Sequence, residues 1–435
     1  MATVKVIGAG LAGCEAAYRL ANAGHSVRLY DIKPSRFTPA HSNADFGELV
    51  CSNSLKGNDP YTNACGLLKQ EMRELDSLVI EAADATKVPA GGALAVDREQ
   101  FAGYITQKIT SHPNIEVVCE EVTALPTDEW CIVATGPLTC DGLAGDIKAK
   151  LGGELHFYDA SAPIVSRESI DMSHAFVGDR YGRGGDDYIN CPLSREEYEQ
   201  FVTQLLGAQR ALLHDFEKGE IFEGCMPVEV MAARGQDTLR FGPFKPVGLK
   251  DKDGNKFYAV LQLRKENAQG SAYNLVGCQT NLKFPEQKRV FSLIPALKDA
   301  EFLRYGVMHR NTYINSPQCL NADFSLKADG KVFFAGQITG VEGYVESAAS
   351  GLLAAIHMDR KLKGALPAVP DDTCILGALS AHISVANANF TPMNANFGIL
   401  RACEQPIRDK KQRYAHLARR SLEYIGQYKQ LIDKD

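Results

Sequence analysis

The sequence lacks the marks of export, of a disulfide scaffold and of a dithiol centre. No run of about 18 uninterrupted apolar residues occurs, and Met1-Ala2-Thr3-Val4-Lys5-Val6-Ile7-Gly8 offers neither a charged lead nor a long apolar stretch with a cleavage site. The chain therefore reads as soluble and cytoplasmic, with no membrane partner. Twelve cysteines in 435 residues are too sparse for a disulfide framework, and no two stand as Cys-x-x-Cys. Reduced thiols are expected, and no metal site. Basic charge is also short: 47 basic against 53 acidic side chains exclude a surface coated in positive charge while leaving room for a local basic face. What is abundant is core material, 45% hydrophobic residues, enough for two or three folded domains, which excludes fibrous and globally disordered chains.

The richest signal stands at the start. Thr3-Val4-Lys5-Val6-Ile7 is a β-branched strand, Gly8-Ala9-Gly10-Leu11-Ala12-Gly13 supplies G-x-G-x-x-G, and Cys14 to Ala23 reads as an Ala/Leu-rich helix. A second strand, Ser26 to Tyr30, ends at Asp31, placed where an acid grips a ribose hydroxyl. Gly8 makes the tight turn, Gly10 lets a pyrophosphate reach the backbone, and Gly13 lets helix and strand pack closely. The helix N-terminus then offers its free N–H groups to the phosphates.

Two later segments bear on which dinucleotide binds. Cys131 to Gly136 is a buried strand ending in a small turn, and Lys331 to Gln337 is another, passing through Gly336 to Gly340, Gly343 and a helix from about Glu346 to Leu362. A second helix N-terminus near Tyr344 to Ser347 suits the far end of an extended cofactor, FAD rather than NAD, because its positive end would stabilise the anionic ring of a reduced flavin. Between them lies a stretch of different texture. It has strand-like runs at Lys256–Leu263 and Ala272–Gly277 and a helix from Ser194 to about Leu213 opened by the capping box Ser194-x-x-Glu197. The glycine-rich Gly178–Gly185 region has the wrong order for a second nucleotide fingerprint and reads as a loop. The tail from Pro406 to Ile432 reads as a helix with Tyr414, Leu417, Ile425, Tyr428 and Ile432 on one stripe. The expected class is α/β: a Rossmann-type FAD-binding domain of the glutathione-reductase-like kind, discontinuous over 1–150 and 323–435, with a mixed α/β domain inserted at 151–322.

Cys51, in Leu49-Val50-Cys51-Ser52-Asn53-Ser54-Leu55-Lys56-Gly57, and Cys225, in Glu223-Gly224-Cys225-Met226-Pro227-Val228-Glu229, sit in polar turns where backbone N–H groups can lower a thiol pKa. Cys14, Cys131 and Cys278 stand among small or apolar residues and read as core thiols. From context alone, the first two are either catalytic or ordinary turn cysteines. With Val6 to Ala17, Val88 to Arg98, Asp187 to Pro192, Phe222 to Glu229, Met308 to Pro317, Gly336 to Gly351 and Pro392 to Gly398, these stretches run in order along nearly the whole chain. Together they closely resemble the bacterial folate- and FAD-dependent tRNA uracil-54 carbon-5 methyltransferases. A related family that modifies wobble uridines shares the flavin frame but carries a C-terminal helical extension missing here.

The resemblance implies that Cys225 is the thiolate that adds to carbon 6 of uracil, and that Cys51 lies at the flavin ring as a proton shuttle. It further implies that 5,10-methylenetetrahydrofolate gives the one-carbon unit and NADPH or NADH the electrons. His309 is the expected pterin-stacking ring, with Arg310 beside it, Tyr344 the other aromatic candidate, and a satisfied histidine the competing reading. Asn394 and Asn396 either line the folate or uracil pocket or only build turns. For tRNA, Arg401, Arg408, Lys410, Lys411, Arg413, Arg419 and Arg420 form one basic group. Lys283, Lys288, Arg289, Arg304 and Arg310, interleaved with Phe284 and Tyr305, form a second. Either they hold RNA or they are solvated faces. No obligate protein partner is evident. Two other functions compete: a flavin oxidoreductase acting on a small molecule, and a non-catalytic flavoprotein that binds RNA.

Overall fold

The computed structural model describes residues 2–38, 40–152, 155–182, 187–211, 226–250, 254–387 and 390–434, with the backbone alone at 155–159, 309 and 310. The chain first lays down β1 (Thr3–Ile7), α1 (Leu11–Asn22), β2 (Ser26–Asp31), β3 (Ser54–Gly57), α2 (Ala64–Glu74), α3 (Leu78–Ala85), β4 (Lys87–Val88), β5 (Ala93–Val96), α4 (Arg98–Thr110), β6 (Ile115–Cys119), β7 (Cys131–Val133) and α5 (Asp141–Leu151). A middle section adds β8 (Leu155–Ala160), β9 (Ile164–Ser166), β10 (Phe176–Val177), β11 (Tyr188–Leu193), α6 (Arg195–Leu206), α7 (Val228–Ala233), α8 (Thr238–Phe241), β12 (Ala259–Lys265), β13 (Ala272–Leu275), α9 (Phe284–Phe291), β14 (Phe302–Arg304) and β15 (Met308–Tyr313). The chain then returns through α10 (Ser316–Cys319), β16 (Val332–Phe334), α11 (Tyr344–Leu362), α12 (Ile375–His382) and α13 (Lys410–Ile432).

The first and last sections share one parallel sheet in the order β16-β7-β1-β2-β6. One face is a continuous apolar surface, with Val4, Val6, Leu29, Ile132 and Phe333 fully buried along it, whereas the other is apolar only at β7 and β16 and carries Lys5, Arg28 and Glu116 on β1, β2 and β6. Each such side chain contributes about 1.5–3 kcal/mol of burial. Two helices that start at the carboxyl ends of these strands, α1 and α11, touch backbone to backbone. A Cβ at Gly351 would lie 2.2 Å from the Ala12 carbonyl oxygen, so only glycine allows this approach. Packing thereby fixes one helix N-terminus relative to the other across more than 300 residues of sequence.

The middle section forms an antiparallel sheet, β10-β11-β12-β13-β9-β14. It has its own core of Val165, Ile189, Leu193, Tyr198, Phe201, Leu205, Phe244 and Phe291. Strand alternation carries function here: Leu261 and Leu263 enter that core, while Gln262 and Arg264 point to the opposite face, toward the first section. The Ser194–Glu197 capping box is formed, and α6 stops at Leu206 with Gly207 as its C-cap, short of the expected Leu213. Two smaller sheets complete the fold: β3-β5-β4 within the first section and β15-β8 where the middle section begins and ends.

Several boundaries differ from expectation. α1 begins at Leu11, directly after the glycine turn, and α11 at Tyr344. The strand expected at 256–263 is Ala259–Lys265. The tail helix starts at Lys410, because the Asp409 side chain accepts a hydrogen bond from Gln412 N and outcompetes Pro406 as the start signal. Its stripe of Leu417, Ile425, Tyr428 and Ile432 is buried, and Tyr414 stacks on Phe397 at 4.1 Å. Among the described residues no helix is long and apolar enough to cross a membrane.

Candidate active site

A cleft opens at the carboxyl ends of β1, β2 and β7, the position where open α/β sheets take ligands. Gly8, Gly10, Asp31, Gly136, Gly336, Gln337, Tyr344 and Ser347 line it. Gly13 and Gly343 do not. Gly13 lies under the turn, where a Cβ would come 1.8 Å from the Gly8 oxygen, and Gly343 is the N-cap of α11. Asp31 accepts hydrogen bonds from Ala9 N (2.7 Å) and Lys33 N (2.9 Å), which fixes its carboxylate at the cleft wall. A Cβ on Gly10 would meet nothing within 4 Å, so the backbone there faces open space. Neither α1 nor α11 has a side-chain cap on its first N–H groups. Two uncapped helix ends joined by one cleft fit an extended dinucleotide with a pyrophosphate at α1.

At the α11 end stands a thiol–phenol pair. Cys51 Sγ lies 2.9 Å from Tyr344 Oη. The same oxygen accepts hydrogen bonds from Cys51 N (2.8 Å) and Ser52 N (3.3 Å). Two N–H donors occupy its acceptor positions, so its own proton is directed at the sulfur. Burial, and then the neighbouring sulfur, push the Tyr344 hydroxyl well above its ordinary pKa. The pair can therefore hold one proton between oxygen and sulfur next to the cleft. Also at this end is the exposed Lys56, 3.5 Å from the fully buried Glu346, whose Oε1 also accepts from Ala395 N at 2.9 Å. Cys14, Cys131 and Cys278 are buried thiols whose pKa burial raises, as expected of core cysteines.

Other sequence candidates fall elsewhere. Cys225 lies outside the described residues, as do the His309 and Arg310 side chains; their backbone pairs with Asp159 and Tyr158 in the β15–β8 ladder. Asn396 Oδ1 accepts from Gly398 N (3.0 Å) and its Nδ2 donates to Asn394 O (3.0 Å), so its amide is spent on the turn. Asn394 and Asn396 are absent from the cleft lining. Of the second basic group, Arg304 points inward, donating to Ala40 O, and Arg289 is paired with Glu286. Phe284 and Tyr305 stack at 4.9 Å. In the C-terminal group Arg401 is engaged by Asp371 and Asp372. Sequence reasoning missed Arg98, Arg264 and Glu266, which surround the Cys51 loop; the alternation of Leu261, Gln262, Leu263 and Arg264 was the available signal.

A parallel sheet with glycine turns at both ends of one cleft defines a dinucleotide-binding α/β protein, here with a thiol–phenol pair at one end. The solved structure of Aquifex aeolicus GidA shares this fold, with a TM-score of 0.68 at 16% identity, over 99% of this chain and 75% of that one. Residues 3–365 match the family described as glucose inhibited division protein A. Proteins named methylenetetrahydrofolate-tRNA-(uracil-5-)-methyltransferase TrmFO are 55% identical in Acetivibrio thermocellus (98% of each chain covered) and 56% identical in Geobacter sulfurreducens (96% of this chain, 97% of that one). The chain belongs to the glucose inhibited division protein A family and to the TrmFO methyltransferases, a family of enzymes.

Proposed function

We propose that the cleft holds FAD and that the chain transfers a one-carbon unit from 5,10-methylenetetrahydrofolate to carbon 5 of uridine 54 in the T-loop of tRNA, with NADPH or NADH supplying electrons. The reading extends to this chain what its relatives' names state of them, folate-dependent methylation of uracil in tRNA. The observation that carries it is the Cys51–Tyr344 pair, 2.9 Å apart at an open helix end of the cleft.

FAD, when bound, supplies the two-electron redox chemistry. The chain's own groups do the rest. The N–H groups at the start of α1 hold the pyrophosphate, and Asp31 takes the ribose. Cys225 supplies the thiolate that adds to carbon 6 of the uracil and makes carbon 5 nucleophilic. Cys51 and Tyr344 then accept and relay the proton that carbon 5 must lose. His309 stacks on the pterin, with Arg310 beside it. The reaction is cytoplasmic, where unmodified tRNA and reduced folate meet.

Purified protein incubated with unmodified tRNA transcript, labelled methylenetetrahydrofolate and NADPH tests this. Label is expected in 5-methyluridine at position 54, and Cys225→Ala is expected to abolish it. NADPH consumption without label would overturn the reading in favour of a small-molecule oxidoreductase. Binding of RNA with neither outcome would point to a non-catalytic role.

A further inference from the structure

The loop that carries Cys51 is gripped, on the side away from the cleft, by charged groups that line no part of it. Arg98 Nη1 donates to Leu49 O at 2.8 Å and its Nε lies 2.6 Å from Glu266 Oε2. Arg264 donates from Nε to Asn53 Oδ1 (3.0 Å) and from Nη2 to Ser52 Oγ (2.9 Å). Asn53, fully buried, donates in turn to Val96 O (3.0 Å) and Lys265 O (2.7 Å). Leu49, Val50, Ser52 and Asn53 are thus each held by this array through a backbone carbonyl or a side chain. The result is that the N–H groups of Cys51 and Ser52 converge on the Tyr344 hydroxyl.

Two features say that more than anchoring is served. Glu266 is 5% exposed, and among the described residues neither of its carboxylate oxygens nor Arg98 Nε makes a hydrogen bond, so the two meet as an ion pair only. A buried ion pair with an unsatisfied oxygen is a poor way to gain stability, since apolar side chains of like volume do as well or better. Second, although burial opposes the Arg98 charge, Glu266, Tyr344 and Cys51 favour it, and its pKa ends above the ordinary value. Arg98 Nη1 also lies 3.5 Å from the carbonyl of Val50, the residue before Cys51, so the cation stands beside the loop that carries the thiol–phenol pair. The charged and titratable described groups around this site include Tyr344 and Glu346 on α11, Lys56 on β3, Arg98 on α4, Tyr188 on β11, Arg264 and Glu266 at the end of β12, Arg304 on β14 and Glu48 just before the loop.

We propose that Arg98 and Glu266 are positioning residues for Cys51. Arg98 presents a positive charge that favours the thiolate, and Glu266, contributed by the inserted sheet, orients that charge and moderates it. This rests on the reading of Cys51 as a working thiol, and it makes the seating of the inserted sheet a condition for reactivity at the cleft.

The test is the pH dependence of iodoacetamide alkylation at Cys51, followed on the Cys51 peptide by mass spectrometry in the full-length, FAD-loaded enzyme under reducing conditions. Arg98→Met is expected to raise the alkylation midpoint by about one pH unit, slowing the reaction roughly tenfold below it. Arg98→Lys, which keeps the charge, should recover most of that shift. Glu266→Gln, which removes the moderating charge while keeping the shape, should move the midpoint down. Opposite signs are the signature, because a merely structural role would move both variants the same way. Should Arg98→Met fail to fold, Glu266→Gln decides alone: a fall supports the proposal, and no change or a rise overturns it. Alkylation needs neither tRNA nor folate, so a normal profile in an enzyme that fails to methylate would count against the proposed function and leave this inference standing.

Discussion

Helices α3 and α12 begin against buried carboxylates, whereas α1 and α11 begin with their first N–H groups uncapped. At α3, Glu15 accepts from Ser77 Oγ (2.8 Å), Leu78 N (3.1 Å) and Val79 N (2.9 Å). At α12, Glu71 accepts from Ile375 N (2.9 Å), Leu376 N (2.9 Å) and Ser421 Oγ (2.6 Å). Every helix start has N–H groups that need a partner. At these two scaffold starts a glutamate from a neighbouring helix fills the position. Where the fold wants a ligand, the end opens on the cleft. Glu346 sharpens the contrast: it sits in the first turn of α11, yet its Oε1 is turned to Ala395 N and Lys56. The open end beside Cys51 is left to Tyr344.

The contrast can be broken at either kind of end. Closing the α1 end should have the largest effect. Gly13→Ala puts a Cβ 1.8 Å from the Gly8 oxygen and is expected to cost about 3 kcal/mol, roughly a hundredfold in FAD affinity, read as loss of yellow colour on purification. At the α11 end, Tyr344→Phe removes the hydroxyl shared by Cys51 and Ser52. It should lower the methylation rate about a hundredfold while FAD is retained, which a single-turnover assay on flavin-loaded protein would separate.

The filled ends should answer in stability instead. Glu71→Gln places an amide N–H₂ where only acceptors fit, at a cost of about 2 kcal/mol in urea unfolding, with the methylation rate of the folded fraction unchanged. Burial pushes Glu71 from 4.5 up to about 7 against the pull of its three donors. Across that window the folded carboxyl keeps a proton that the unfolded chain has released. Stability therefore falls as pH rises from 4.5 to about 7, by about 3 kcal/mol for this group. The variant lacks that loss, so the gap between the two proteins should narrow between about pH 5 and pH 7. The smallest effect is expected at Asn396→Ala, which loses a turn cap: under about 1 kcal/mol, with KM for tRNA and folate unchanged.

What the sequence made legible was local. The β1–α1–β2 order with Asp31 at its end, the Ser194–Glu197 box and the glycine turn before α11 are all short-range patterns, and each folds as its spacing dictates. Helix starts slipped by a few residues where a stronger cap stood nearby, as Asp409 does beside Pro406. Tertiary partnerships were not legible. Tyr344 reaches Cys51 across 293 residues, and Glu71 reaches α12 across 304, because helix packing and not periodicity brings them together. Arg304 read as a surface charge for RNA because its inward contact with Ala40 leaves no trace in its neighbours.

The backbone contact of Ala12 with Gly351 has a consequence for biosynthesis. At translation speeds of about 5–20 residues per second, α1 leaves the ribosome many seconds before α11 exists. Until then β7 has an unpaired edge where β16 will dock, and the nascent N-terminal region holds one wall of its cleft without the other. Tight capture of the prosthetic group must therefore wait for the last third of the polypeptide, which makes cofactor loading a late, essentially post-synthetic event.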